Sequence, residues 1–129
     1  MTRITIHADC GGAPKKQLLR DLNIAFAKAD VEGILEFFRD DIRWRIMGEA
    51  DLRGKEAVRA ALEAMQEMVA SELIIHSIII QGRAAAVNGL IRTEGGGSVA
   101  FCDICQFESA DGNKIQSMMS YAVEIKSEG

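Results

Sequence analysis

Apolar residues recur every third or fourth position through the first half of the chain and every second position through the second half. That change of period predicts a helical part followed by a sheet. Leu18, Leu22, Ala25 and Phe26 predict a first helix over residues 14–28, with Pro14 in a first turn that tolerates it. Asp30 is placed to cap a second helix over 31–38, whose stripe is Val31, Ile34, Leu35 and Phe38. Asp40 and Asp41 read as a solvated turn. Ile42, Trp44 and Ile46 then alternate inward on a strand over 42–47, and 48–53 is a loop. A third helix over 55–69 presents Val58, Ala61, Leu62, Met65, Met68 and Val69 to the interior, the methionines as core.

From Glu72 the period is two. Strands are expected over 72–81 and 84–92, joined at Gly82-Arg83, and over 98–108 and 114–125, joined at Ala110-Asp-Gly-Asn113. Glu94-Gly-Gly-Gly97 connects two strands with no helix after it, so it is a flexible loop and not a phosphate cradle. Residues 1–13 form a short extended or irregular arm, with Cys10 a thiol in a mobile lead-in, and residues 14–129 form one domain. Helices followed by a run of antiparallel strands make an α+β domain with the helices on one face of a curved sheet.

One polar residue breaks this pattern. Phe101, Asp103, Cys105 and Phe107 share a strand face, three of them apolar, so Asp103 is expected to be buried with them. Burying a carboxylate costs on the order of 1–3 kcal/mol or more unless it is paired, hydrogen-bonded or protonated. It is the best functional clue in the chain.

Composition narrows the classes. The 129 residues carry a net charge of −4, and no Lys/Arg cluster could follow a phosphate backbone, so nucleic acid is not an expected partner. The longest apolar run, 73–80, is interrupted by His76-Ser77 and falls far short of a membrane span of about 20 residues. The first residues lack the apolar core of a signal peptide, which makes a cytoplasmic location the expectation. Three cysteines argue against a disulfide framework. Cys102 and Cys105 spell C-x-x-C, but mid-strand they point to opposite faces, so they read as buried small apolar residues and not as a redox or zinc motif. No metal or cofactor is expected. His7 in the arm is not read as catalytic, and His76 is read as structural or at a dimer face.

The helical lead-in, the Asp40-Asp41-x-x-Trp44 junction, the Leu52-Arg-Gly-Lys-Glu-Ala-Val58 helix start and the Asp-Gly-Asn-Lys-Ile hairpin together resemble nuclear transport factor 2-like (SnoaL-like) domains over residues 15–125. The resemblance implies a cystatin-like cone, three helices on a strongly curved, mainly antiparallel sheet around an apolar pocket, and dimers through the convex sheet face. Ile104, Met119, Tyr121 and Val123, with Cys102 and Ile125, would supply that face. The family includes ketosteroid isomerases, polyketide cyclases, epoxide hydrolases, dehydratases and non-catalytic members. Asp103 matches the oxyanion-stabilising aspartic acid of the isomerases, and cyclases carry their acid/base aspartate nearby. The isomerase base and tyrosine would fall near Ile46 and Leu22, and the epoxide hydrolase residues near Val87, Gly89 and Ser120; none is present.

The same register implies a pocket of Phe38, Trp44, Ile46, Val58, Leu62, Met65, Leu90, Arg92, Phe101, Cys105, Met118 and Ser120, with Asn88 a candidate partner of Asp103. An inward Arg92 would make Asp103 an ion pair with a low pKa; an outward one would leave desolvation to raise it. The function expected is a small-molecule pocket, catalytic or not, taking a mostly apolar ligand that offers a polar group to Asp103 and Asn88; an enzyme version would use Asp103 as acid or base in isomerisation, cyclisation or dehydration. The alternative is a non-catalytic dimeric module with a residual pocket.

Overall fold

The computed structural model describes residues 2–126. Its elements are β1 (Arg3–Ile6), α1 (Pro14–Ala27), α2 (Val31–Leu35), β2 (Phe38–Ile46), β3 (Ala50–Arg53), α3 (Lys55–Ala64), β4 (Glu72–Gln81), β5 (Ala84–Arg92), β6 (Ser98–Phe107) and β7 (Ile115–Ile125). The strands form one sheet in the order β1-β4-β5-β6-β7-β2-β3. Four neighbouring pairs are antiparallel and two, β1–β4 and β2–β7, are parallel, so the sheet is mixed. Its centre is the run of strands that alternation predicts, β4 to β7. The helices cover one face, and Leu19, Leu22, Ile34, Leu35, Val58 and Leu62 close over it.

Several local expectations are corrected. The arm is not merely a lead-in: β1 adds an edge strand beside β4, and Cys10 is buried in the core. β2 begins at Phe38, so Asp40 and Asp41 are exposed strand residues at a register shift between Phe38 and Arg43. The stretch after Gly48 is a hairpin arm, β3, and not a loop. α3 stops at Ala64. Met65, Met68 and Val69 lie beyond it and are exposed, Met68 at 72%, where nothing packs on them to extend the helix.

A bulge in β4 sets the faces of the sheet. Leu73 and Ile75 point to the core, and then His76 breaks the pairing with β5 so that Ile78 carries the core face onward. His76 is exposed, and its ring stacks on His7 of the arm at 5.8 Å. The bulge also brings the strands close: a Cβ on Gly89 would lie 2.0 Å from the Ile74 carbonyl oxygen.

α1 ends by turning through Ala29, the one non-glycine residue with positive φ (56°) among those described. The Asp30 amide donates to Ala25 O (2.9 Å) and the Ala29 amide to Phe26 O (3.0 Å), closing the helix carbonyls. Asp30 then caps α2 by accepting from the Gly33 amide, as its position predicts. No helix among the described residues is long and apolar enough to cross a membrane.

Candidate active site

β6 places Phe101, Asp103, Cys105 and Phe107 on the covered face, and Asp103 is 9% exposed among neighbours of which Cys105 and Phe107 are sealed. β7 lies antiparallel to it, with Met118 opposite Cys105, Ser120 opposite Asp103 and Ala122 opposite Phe101. β2 lies parallel on the far side of β7 and sets Trp44 beside Met118 and Ile46 beside Ser120. Three strands thus bring one indole, one hydroxyl and one carboxyl side by side.

The polar groups form a short relay. Trp44 Nε1 donates to Ser120 Oγ at 2.8 Å, and Ser120 stands directly opposite Asp103 in the strand pair, where its hydroxyl favours the ionised carboxyl. Trp44 is itself fixed by the rings of Phe26 and Phe38, at 5.5 and 6.5 Å and tilted to it. Burial pushes the Asp103 carboxyl up to about 6, and the Ser120 hydrogen bond opposes that rise. The Cys105 thiol is pushed up far enough by burial, with the Asp103 charge adding, to stay neutral.

Asp103 faces a cavity of about 320 Å³. α1 contributes Asn23 and Phe26, the turn after it Ala29, and α2 Val31 and Ile34; Leu62, Met65 and Met68 come from α3 and the segment beyond it. Ile91 closes the β5 side, and Glu49, exposed in the β2–β3 turn, stands on the lining as a second carboxylate. That volume is at the small end for ligand sites, typically about 300–1,000 Å³. A groove of about 490 Å³ beside Asp40, Asp41, Lys55 and Lys114 is larger, but it is a surface cleft whose opposite charges compensate one another, as in the Lys55–Asp40 pair at 3.7 Å. The Asp103 cavity joins an apolar interior to a buried carboxyl whose pKa is raised toward neutrality.

Of the residues expected to line a pocket, Trp44, Ile46, Leu62, Met65, Phe101, Asp103 and Ser120 do so. Phe38, Val58, Cys105 and Met118 lie one layer deeper as fully packed core. Asn88, Leu90 and Arg92 do not reach the cavity. Asp103 pairs directly with Val87, and cross-strand partners share a face, so Asn88 one residue on points away, into a convex groove with Ser77, Cys102 and Tyr121. Leu90, an even number of residues from Asn88, follows it, and Ile91 lines the cavity in its place. Arg92 turns outward to Glu72 at 3.2 Å, which leaves desolvation to set the Asp103 pKa. Cys102 is half-buried in the convex groove and not core. The sequence reading missed Asn23 and Ile91 as lining residues, and placed Phe26, Val31 and Ile34 in the core without assigning them to the pocket. Among the described residues no cluster of three or more His, Cys, Asp or Glu side chains is arranged to hold a metal ion.

A profile of the SnoaL-like domain matches residues 19–118. Solved structures of the same shape include an NTF-2 like protein of unknown function from Burkholderia xenovorans LB400, 14% identical over 94% of this chain and 91% of that one, TM-score 0.75. An NTF2-like protein of unknown function from Cytophaga hutchinsonii ATCC 33406 is 23% identical over 83% of this chain and 97% of that one, TM-score 0.64. An LEH-like epoxide hydrolase from M. tuberculosis is 17% identical over 83% of this chain and 80% of that one, TM-score 0.67. At these identities the likeness establishes a shared fold. None of the curated proteins compared with the chain matches it.

Proposed function

The chain belongs to the SnoaL-like domain family, and from that premise we propose that it binds a small, mostly apolar molecule in the Asp103 cavity and uses Asp103 as an acid/base group upon it. The observation that carries this reading is a buried carboxyl raised to about 6, facing a cavity large enough for a ligand. A group that titrates close to neutrality can take a proton from one atom of a bound molecule and return it to another, which suits isomerisation, cyclisation or dehydration. Trp44 fixes Ser120 opposite the carboxyl, and the apolar wall keeps water from competing for the proton.

The experiment is hydrogen–deuterium exchange at the α-carbon of a compact apolar ketone such as 4-phenylcyclohexanone, followed by NMR in D₂O. The wild-type protein should exchange it at least about 100-fold faster than Asp103→Asn, the low end of a general base's contribution. Equal rates would remove the acid/base role and leave a binding pocket.

A second reading concerns assembly and does not exclude the first. Ile79, Tyr121, Val123 and Ile125 are exposed large apolar residues, with Ile104 and Met119 half-buried in the register between them, on the sheet face away from the helices. A patch of this kind favours a homodimer through Ile104, Met119, Tyr121 and Val123, of the ordinary interface size of about 1,200–2,000 Å². A single species with the mass of one chain in sedimentation at micromolar concentration would refute it. The protein is taken to act in the cytoplasm, without nucleic acid or membrane partners.

A further inference from the structure

The cavity's charges are one-sided. Its lining holds two carboxyl groups, Asp103 and Glu49, and no lysine, arginine or histidine among the described residues. The titratable groups nearest Asp103 are the thiols of Cys102 and Cys105, both pushed up by burial, so neither supplies positive charge. Arg92, the cation that could have come in from β5, is engaged by Glu72 on the outside. Of the uncharged polar side chains of the lining, Ser120 accepts from Trp44 and faces Asp103, and Asn23 is buried and donates one Nδ2–H to Leu19 O at 2.8 Å. That bond orients the amide and leaves its carbonyl oxygen as the end with no side-chain donor. Apart from the second Nδ2–H of Asn23, the open polar side-chain groups of the cavity therefore accept hydrogen bonds or carry negative charge.

We infer that the natural ligand of this cavity is an amine: an apolar body carrying a protonated nitrogen that sits against Asp103 and the Asn23 carbonyl, drawn in past Glu49. This rests on the reading of the cavity as a ligand site and not on the acid/base step, since a paired ammonium would hold the Asp103 carboxyl ionised. A buried carboxylate whose only aid is one serine hydroxyl lacks the partner that buried charges normally have, and an ammonium supplies it with three donors. An anionic ligand meets two like charges instead. A neutral one leaves the carboxylate unpaired.

The chain has a single tryptophan, Trp44, and it stands on the cavity wall, so its emission reports binding directly. Three probes with one skeleton, 4-phenylbutylamine, 4-phenylbutanol and 4-phenylbutyrate, are titrated into the wild-type protein at pH 7 and pH 5. The amine should bind at least about tenfold tighter than the alcohol at pH 7, with the carboxylate weakest. Its affinity should fall about tenfold at pH 5, as the competent ionised form of Asp103 becomes the minor one, while the alcohol's barely changes. In Asp103→Asn the advantage of the amine should vanish and the alcohol should bind as before; should that variant not fold, the wild-type pH series decides alone. An alcohol or carboxylate that binds as well as the amine overturns this inference and leaves the ligand site standing. Failure of all three to bind overturns both.

Discussion

Replacing Asp103 by asparagine should make the protein more stable, and by an amount that depends on pH in a defined way. The carboxyl titrates near 6 in the folded protein against an ordinary 3.8, because burial penalises its charge. The native state therefore holds an extra proton between those values, and wild-type stability rises as pH falls through that window. Above pH 6 the full penalty is present; a shift of about two units corresponds to on the order of 3 kcal/mol. Asparagine keeps the shape and can still hydrogen-bond Ser120 but carries no charge. Asp103→Asn should gain about 2–3 kcal/mol at pH 7.5, a rise of roughly 8–12 °C in Tm for a domain of this size. The gain should shrink below pH 6 and be gone by about pH 3.8. Urea denaturation of both proteins from pH 8 to pH 4 measures it. Glu32, hydrogen-bonded to Arg59, and Asp51, hydrogen-bonded to Arg43, are held below the usual range and give the opposite slope, so the difference between the two proteins is the quantity to read. A variant less stable at pH 7.5, or a difference that does not change with pH, would show that the carboxyl is not desolvated. The acid/base reading would lose its basis. A more stable but inactive variant is what a group kept for function at a cost in stability produces.

The remaining expectations concern the frame and the limits of the chemistry. Ala29→Gly removes the strain of a left-handed alanine at the end of α1 and should stabilise by about 0.5–1 kcal/mol in urea denaturation; a loss of stability would contradict the turn described. Gly89→Ala drives a Cβ against the Ile74 carbonyl oxygen at the bulge and should cost about 2–3 kcal/mol or prevent folding, whereas a neutral result would mean that the strands do not approach so closely. With Ile46 apolar on the cavity wall and Leu22 sealed in the core, the base and second donor of ketosteroid isomerases have no counterpart at those places. Turnover of a 5-ene-3-ketosteroid should stay below ~1 s⁻¹, and limonene oxide should fare no better; faster rates that vanish in Asp103→Asn would overturn this.

How far the sequence carried the structure depended on what physical signal each part leaves. The strands β4 to β7 were legible because each has one buried face, which writes itself as alternation. β1 and β3 are four-residue edge strands, too short to alternate convincingly, and their existence depends on neighbours far away in the chain. α3 was read too long because Met65, Met68 and Val69 continue its spacing, although spacing records a face and not whether anything covers it. The site shows the same division. Asp103 was legible as a carboxyl on an apolar face, and the alternation that exposed it also found Phe101, Ser120, Trp44 and Ile46. Asn88 was misplaced because β5, Ala-Ala-Ala-Val-Asn-Gly-Leu-Ile, has small or apolar residues on both faces, so hydrophobicity does not fix its parity; only the pairing of Val87 with Asp103 does. Glu49 lies in a turn and carries no periodic signal at all. Asn23 is different, because its signal was present. It falls four residues after Leu19 and among Leu22 and Phe26 on the buried stripe of α1, the same anomaly on a helix that Asp103 is on a strand. Read with the same weight, the two polar residues on apolar faces point to one cavity, which Asn23 lines from α1 and Asp103 from β6, and its one-sided charge bears on what it can hold.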